Sequence, residues 1–165
     1  MPILDANALE FFSRSPEQTR RVGMRIGALL RPGDVICLSG DLGSGKTTLV
    51  QGIARGWGSL DGVSSPTFIL VNLYRRPDGQ LIHHLDAYRM QTALEAEDLD
   101  LALMQEKGPL LVEWAERIRK VLPEDHLWVS LRWMADEHRA ALFTAQGGRY
   151  QVLLADLRRQ MYGGV

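Results

Sequence analysis

Val22, Ile26, Leu29 and Leu30 recur at the three- and four-residue spacing of a helix with one buried face. Ser15 as N-cap, Pro16 at the first helical position and Gln18 completing a capping box predict where that helix begins. Arg31-Pro32-Gly33-Asp34 ends it, and the unbroken apolar run from Val35 to Ser39 reads as a short strand buried on both faces. A glycine-rich turn over residues 40–45 leads into a helix over 46–57, stopped near Gly56 and Gly58. Residues 68–74 and 81–88 read as the arms of a β-hairpin, because Pro77-Asp78-Gly79 supplies the turn between them.

Thr92 and Glu95 form a second capping box, which predicts a helix with an acidic outer face running to about Gln105. Residues 109–114 read as another buried strand, followed by a short helix over 115–121 that Pro123 closes. Leu127, Val129, Leu131 and Trp133 alternate with Trp128, Ser130 and Arg132, the pattern of a strand with unlike faces, expected antiparallel and near an edge. Residues 139–145 can pair with it through a turn at 135–138, and a helix over 150–161 ends the chain. This alternation of strands and helices is that of an α/β fold.

At 165 residues and 45% hydrophobic, the chain is expected to form one domain over 1–165, with a core that needs no disulfide or structural metal. Its one cysteine, Cys37, lies inside the first apolar strand and reads as an inert buried thiol, which excludes a disulfide framework or Cys-cluster zinc site. The opening MPILDANALEFF lacks the basic start and long apolar stretch of a secretion signal, so the chain is expected in the cytosol. A net charge of −1 provides no overall attraction to nucleic acid; Arg20-Arg21 with Arg25, Arg75-Arg76 and Arg158-Arg159 are left as local basic clusters.

The chemistry concentrates in Gly40-Asp41-Leu42-Gly43-Ser44-Gly45-Lys46-Thr47, which fits G-x-x-x-x-G-K-[ST] between a predicted strand and a predicted helix. Glycines let consecutive backbone N–H groups from Asp41 to Thr48 line one concavity, where an anion also meets the positive end of the helix dipole. Lys46 is expected to reach the β- and γ-phosphates of a nucleoside triphosphate, and the Thr47 hydroxyl to ligate Mg2+.

Phosphoryl transfer also needs an acid near the metal and a group to orient the attacking nucleophile. Asp86 and Glu113 each close an apolar strand, where ligands of open α/β sheets bind. His83 and His84 are adjacent on a strand, hence on opposite faces, and cannot readily chelate one ion together; they read as structural or hydrogen-bonding residues. Trp114 lies either in the core or against the nucleotide.

Taken together, GDLGSGKTTLV, VSSPTF, HLDAYR and VEWAER, in this order over about residues 15–145, resemble the TsaE (YjeE) family of bacterial tRNA threonylcarbamoyladenosine proteins. The resemblance implies a P-loop NTPase-like three-layer fold whose mixed sheet has a parallel core and antiparallel strands at the edges. It implies a cytoplasmic ATPase that takes ATP and Mg2+, weak alone and stimulated by its partners TsaD and TsaB. Those partners place a threonylcarbamoyl group on an adenosine beside the anticodon; the ATPase meets tRNA indirectly and resets the complex between rounds.

Carried over by position, Lys46 holds phosphates and Thr47 and Glu113 hold the metal. Asp86 orients or deprotonates water, Thr67 senses the γ-phosphate, and Trp114 lies against the nucleotide. Asp86 and Glu113 are interchangeable in these roles on sequence grounds. Ser44 stands where the family usually has alanine, and Ala87 where leucine is frequent.

Two other classes share the phosphate loop. A small-molecule kinase needs an arginine-rich lid over the transferred phosphate, and residues 92–105 contain no arginine. A nucleotide-gated binding module would keep its partner interaction when Asp86 is neutralised. A GTPase is disfavoured because no NKxD segment is present.

Overall fold

The computed structural model describes residues 5–63 and 71–163. Its strands are β1 (Ala8–Ser13), β2 (Val35–Ser39), β3 (Val71–Arg75), β4 (Leu81–Asp86), β5 (Leu110–Glu113), β6 (His126–Ala135) and β7 (His138–Gln146). They form a seven-stranded sheet in the order β1-β7-β6-β2-β5-β4-β3. The neighbours β6, β2, β5 and β4 are parallel, while β3 on one side and β7 on the other run against them, so the sheet is mixed with a parallel core.

Helices α1 (Pro16–Leu29), α2 (Lys46–Trp57) and α5 (Gly148–Tyr162) pack on one face; α3 (Leu94–Glu97), α4 (Leu101–Lys107) and a 3-10 segment (Ala115–Val121) lie on the other. Period-two alternation along β2 sends Ile36 and Leu38 into the first core and Val35 and Cys37 into the second. Both faces of β2 are dry, which is why its sequence is continuous rather than alternating. Cys37 is fully buried and its thiol is pushed up to about 12 by that burial, as an inert packing residue should be.

Helix α1 starts where its capping signal predicts: the Ser15 hydroxyl accepts from the Gln18 N–H at 3.2 Å, and the Gln18 side chain returns to the Arg14 N–H at 2.8 Å. The second capping box does not form. Thr92 precedes two short helices instead of one long one: Ala93 is the first N-cap with no side-chain bond there, and Glu95, inside α3, accepts the Gln91 N–H at 3.4 Å. Asp100 restarts the chain by accepting from the Leu103 N–H at 3.0 Å, an alternative cap that breaks the predicted helix at residues 98–100.

Two further expectations change. Strand β6 is interior, parallel to β2 and antiparallel to β7, and the described edges are β1 and β3. Its polar residues Ser130 and Arg132 are exposed because helices cover only the Val129 and Leu131 side there, so the unlike faces mark a half-bare sheet. Strand β1 was not evident from sequence, since the outward Phe12 and half-buried Phe11 blur its alternation.

Helices α1 and α2 meet backbone to backbone. A Cβ added at Gly23 or Gly27 would stand 2.5 or 2.1 Å from the carbonyl oxygen of Leu49 or Ile53; one at Gly52 or Gly56 would stand 2.1 or 2.0 Å from that of Arg20 or Met24. Two Gly-x-x-x-Gly faces thus let the helices touch, which fixes the start of α2 and the loop feeding it. At the opposite end of the sheet, buried Asp34 is paired with Arg149 (2.8 Å), and the Val35 N–H donates to the Tyr150 hydroxyl at 2.8 Å.

Most of the basic clusters are engaged within the chain. Arg75 pairs with Asp61 and Arg76 with Asp78, while Arg158 donates to the Asp5 and Ala8 carbonyls. Among the described residues no helix is long and apolar enough to cross a membrane.

Candidate nucleotide-binding site

The loop from Gly40 to Gly45 joins the end of β2 to the start of α2, in the parallel core of the sheet. Gly40 (φ 142°) passes so close to β6 that a Cβ would lie 2.3 Å from the Leu131 carbonyl oxygen, and Gly45 (φ 104°) turns into the helix in the left-handed region. Asp41, Leu42 and Gly43 are exposed at the rim, Leu42 with 76% of its surface free, whereas Ser44 and Lys46 are buried beneath it. Thr47 and Thr48 follow in the first turn of α2, half-buried.

Lys46 curls back under its own loop. Its Nζ donates to the carbonyls of Gly40 and Asp41 (the latter at 3.0 Å) and to Ser44 Oγ at 3.4 Å. The same ammonium stands 4.3 Å from the Trp114 ring centroid. Burial pulls its pKa down, opposed by the nearby carboxylates of Glu113, Glu116, Asp41 and Asp86.

Two of those carboxylates, Asp86 and Glu113, converge because of strand register. Asp86 is paired with Glu113 across the parallel β4–β5 ladder, and Glu113 with Leu38 across β5–β2. Glu113 is buried, and its Oε2 lies 2.7 Å from His84 Nε2. Asp86 is half-buried and accepts the Tyr88 N–H at 2.9 Å; desolvation, helped by the charge of Glu113, raises its carboxyl above the ordinary value.

Immediately after Glu113 the chain turns at Trp114, whose φ of 56° puts a bulky residue in the left-handed region. That turn lays the indole over Lys46, with Tyr88 beside it at 4.9 Å between ring centroids. Trp114 also packs on the second core, while its ring meets Lys46 on the loop side. His83 and His84 point to opposite faces, as their adjacency requires: His84 faces the site, and His83 lies under α4, where burial and then Lys107 lower its pKa. Thr67, with Ser65, Pro66 and Phe68, lies outside the described residues.

Two neighbours of the site have no role assigned from sequence, Glu116 within VEWAER and Arg139 outside every motif. Glu116 sits one turn beyond Glu113, its carboxyl raised by burial, with Lys46 among the cations opposing that shift. Arg139, from β7, donates through Nε to the Gly43 carbonyl at 2.9 Å and through Nη1 to the Asp136 and His138 carbonyls at 2.8 and 3.1 Å. It clasps the phosphate loop to the β6–β7 turn across almost a hundred residues of sequence, a contact that periodicity does not encode.

A lysine-bearing glycine loop between a central parallel strand and a helix, with carboxylates at neighbouring strand ends, defines the P-loop fold. The family model described as threonylcarbamoyl adenosine biosynthesis protein TsaE matches residues 13–141, and the chain belongs to the TsaE family. It is 40% identical over 153 residues to the tRNA threonylcarbamoyladenosine biosynthesis protein TsaE of Bacillus subtilis, covering 92% of this chain and 94% of that one. The protein of the same name from Streptomyces coelicolor is 40% identical over 137 residues, covering 79% and 93%. A crystal structure of Bacillus subtilis YdiB superposes with a TM-score of 0.77 at 34% identity, covering 93% of this chain and 95% of that one.

Proposed function

We propose that this chain is the ATP-binding and ATP-hydrolysing subunit for tRNA threonylcarbamoyladenosine biosynthesis. In this reading it acts in the cytoplasm with TsaD and TsaB and resets their complex between rounds. It meets tRNA only through that complex. Membership of the TsaE family supports the pathway. The observation that carries the hydrolytic part is the register pairing of Asp86 with Glu113 beside Lys46, which gathers two carboxylates and a buried ammonium around one loop.

Backbone N–H groups from Asp41 to Thr48 cradle the phosphates at the positive end of α2. Lys46 exchanges its bonds to the Gly40 and Asp41 carbonyls for phosphate oxygens, with Trp114 shielding it from water. The Thr47 hydroxyl and Glu113 carboxylate are an all-oxygen donor pair of the kind Mg2+ takes when phosphates and water complete its shell. Bound there, the ion neutralises charge on the phosphates. Asp86, less acidic than an ordinary carboxyl, accepts a proton from the attacking water or orients it.

The test is Mg2+-dependent ATP hydrolysis by the purified chain, alone and with TsaD, TsaB and tRNA, alongside multiple-turnover tRNA modification. Weak hydrolysis that rises with the partners, and modification that stalls after about one round without this chain, is the expected result. Hydrolysis indifferent to the partners, with modification unaffected, would overturn the reading and direct the search to kinase acceptors.

A further inference from the structure

Glu113 does not stand alone under the loop. Its Oε2 is 2.7 Å from His84 Nε2, and the other nitrogen of that ring, Nδ1, is 2.6 Å from the Tyr74 hydroxyl. His84 has none of its surface exposed and Tyr74 2%, so the chain runs without solvent through β3, β4 and β5. Tyr74 is two residues from the position paired with His84 across β3–β4, and His84 is two residues before Asp86, on the same face of β4. The rings of Tyr74 and His84 are packed at 5.7 Å between centroids, so neither side chain can swing without displacing the other.

This arrangement has a direction. An ionised Glu113 only accepts, so His84 Nε2 carries the proton it donates; with a neutral ring, Nδ1 then accepts the Tyr74 O–H. Burial pushes the Tyr74 phenol up to about 12, which keeps it a donor. One carboxylate oxygen of Glu113 is thereby committed to the protein.

We propose that Tyr74 and His84 are positioning residues that lock the Glu113 carboxylate, binding its Oε2 so that Oε1 is presented to Mg2+ at the phosphate loop. The inference rests on the reading of Glu113 as a metal ligand given above. It assigns to the histidine of HLDAYR a part in metal affinity, exercised without touching metal or nucleotide. Partners in this outer position fix the orientation and basicity of a ligand, and losing them costs roughly 10- to 100-fold in metal affinity.

The experiment is a Mg2+ titration of fluorescent ATP-analogue binding by the full chain, with nucleotide affinity in EDTA as the control. His84→Ala should raise the Mg2+ concentration at half-effect by roughly tenfold or more. His84→Gln, whose amide nitrogen can still donate to Glu113, should recover most of that loss. Tyr74→Phe, which removes a single hydroxyl and preserves the packing, should raise the midpoint by roughly three- to tenfold. Affinity in EDTA should stay unchanged in all three.

Tyr74→Phe keeps the proposal exposed to refutation even where His84→Ala does not fold. A lower melting temperature with an unmoved Mg2+ midpoint would make the chain of bonds merely structural and overturn the proposal. A wild-type chain whose nucleotide binding ignores Mg2+ would remove the metal reading of Glu113 and this inference with it, whereas unmoved variants against a Mg2+-dependent wild type would remove the inference alone.

Discussion

Asp86 and Glu113 stand opposite each other at the ends of neighbouring parallel strands, yet their surroundings divide them: Glu113 is hydrogen-bonded to a buried histidine, while Asp86 accepts the Tyr88 backbone N–H. In the proposed function, that difference is the basis for dividing the roles that sequence left interchangeable. The anchored carboxylate suits a metal ligand, and the desolvated one with the raised pKa suits the group that handles water.

Replacing Asp86 by Asn should therefore lower ATP hydrolysis by roughly 10²- to 10⁴-fold while nucleotide affinity is retained, measured by phosphate release and by equilibrium binding. The same change should raise the melting temperature at neutral pH. The pKa of Asp86 is raised in the folded state, so wild-type stability falls as pH climbs from the ordinary carboxyl value of 3.8 through the folded value, and stays reduced above it. Asn removes that loss, so the advantage of the variant should grow from acid toward neutral pH. A melting temperature below wild type at neutral pH would contradict this account.

Lys46 and Trp114 form the contact that should report nucleotide arrival. When Lys46 leaves the indole for phosphate, Trp114 emission should change, and the change should disappear in Trp114→Phe even though the chain has 4 tryptophans. Lys46→Ala should weaken triphosphate binding by about 2–4 kcal/mol as charge-assisted bonds are lost. A full emission change in Trp114→Phe would place the reporter elsewhere.

Arg139 should matter to the loop without being part of its motif. Removing its bonds to Gly43 and Asp136 by Arg139→Ala should weaken ATP binding by roughly three- to tenfold, the low end for a partly exposed charge-assisted bond. Arg139→Lys should restore only part, since its ammonium lacks the planar fork that bridges separate carbonyls. Isothermal titration with ATP decides it: unchanged affinity in Arg139→Ala would reduce the clasp to a surface contact.

What was legible in the sequence follows from where the constraint resides. The phosphate loop could be read because its backbone needs glycine at φ values near 80–140° (Gly43 at 79°, Gly40 at 142°) and its chemistry needs Lys46 and a hydroxyl at adjacent positions. The strands bearing Asp86 and Glu113 could be read because burial on both faces leaves short runs that are apolar throughout 110–112 and apolar apart from buried His83 and His84 over 81–85. Pairing is a different matter: β6 takes an interior place because β2 and β7 flank it, a fact of topology that its own alternation cannot carry. Likewise Asp100 outcompeted the Thr92 capping box through a local cap of its own, and the Arg139 clasp arises from tertiary neighbours alone.

The glycines of α1 and α2 provide the most demanding test of the fold. In an exposed helix, Gly→Ala stabilises by about 0.5–1 kcal/mol through backbone entropy. At Gly52 that rule should reverse, because the new methyl would stand 2.1 Å from the Arg20 carbonyl oxygen, and backbone cannot yield as a flexible side chain does. Gly52→Ala should cost about 1–3 kcal/mol in urea denaturation as α1 and α2 are forced apart. Because α2 begins at Lys46, the displacement should also weaken ATP binding. Gly148→Ala, at the start of α5 with open space around it, is the control and should be neutral or stabilising. Equal stability of Gly52→Ala and wild type would mean that the helices separate freely, and the close approach would then not be what holds the phosphate loop in place.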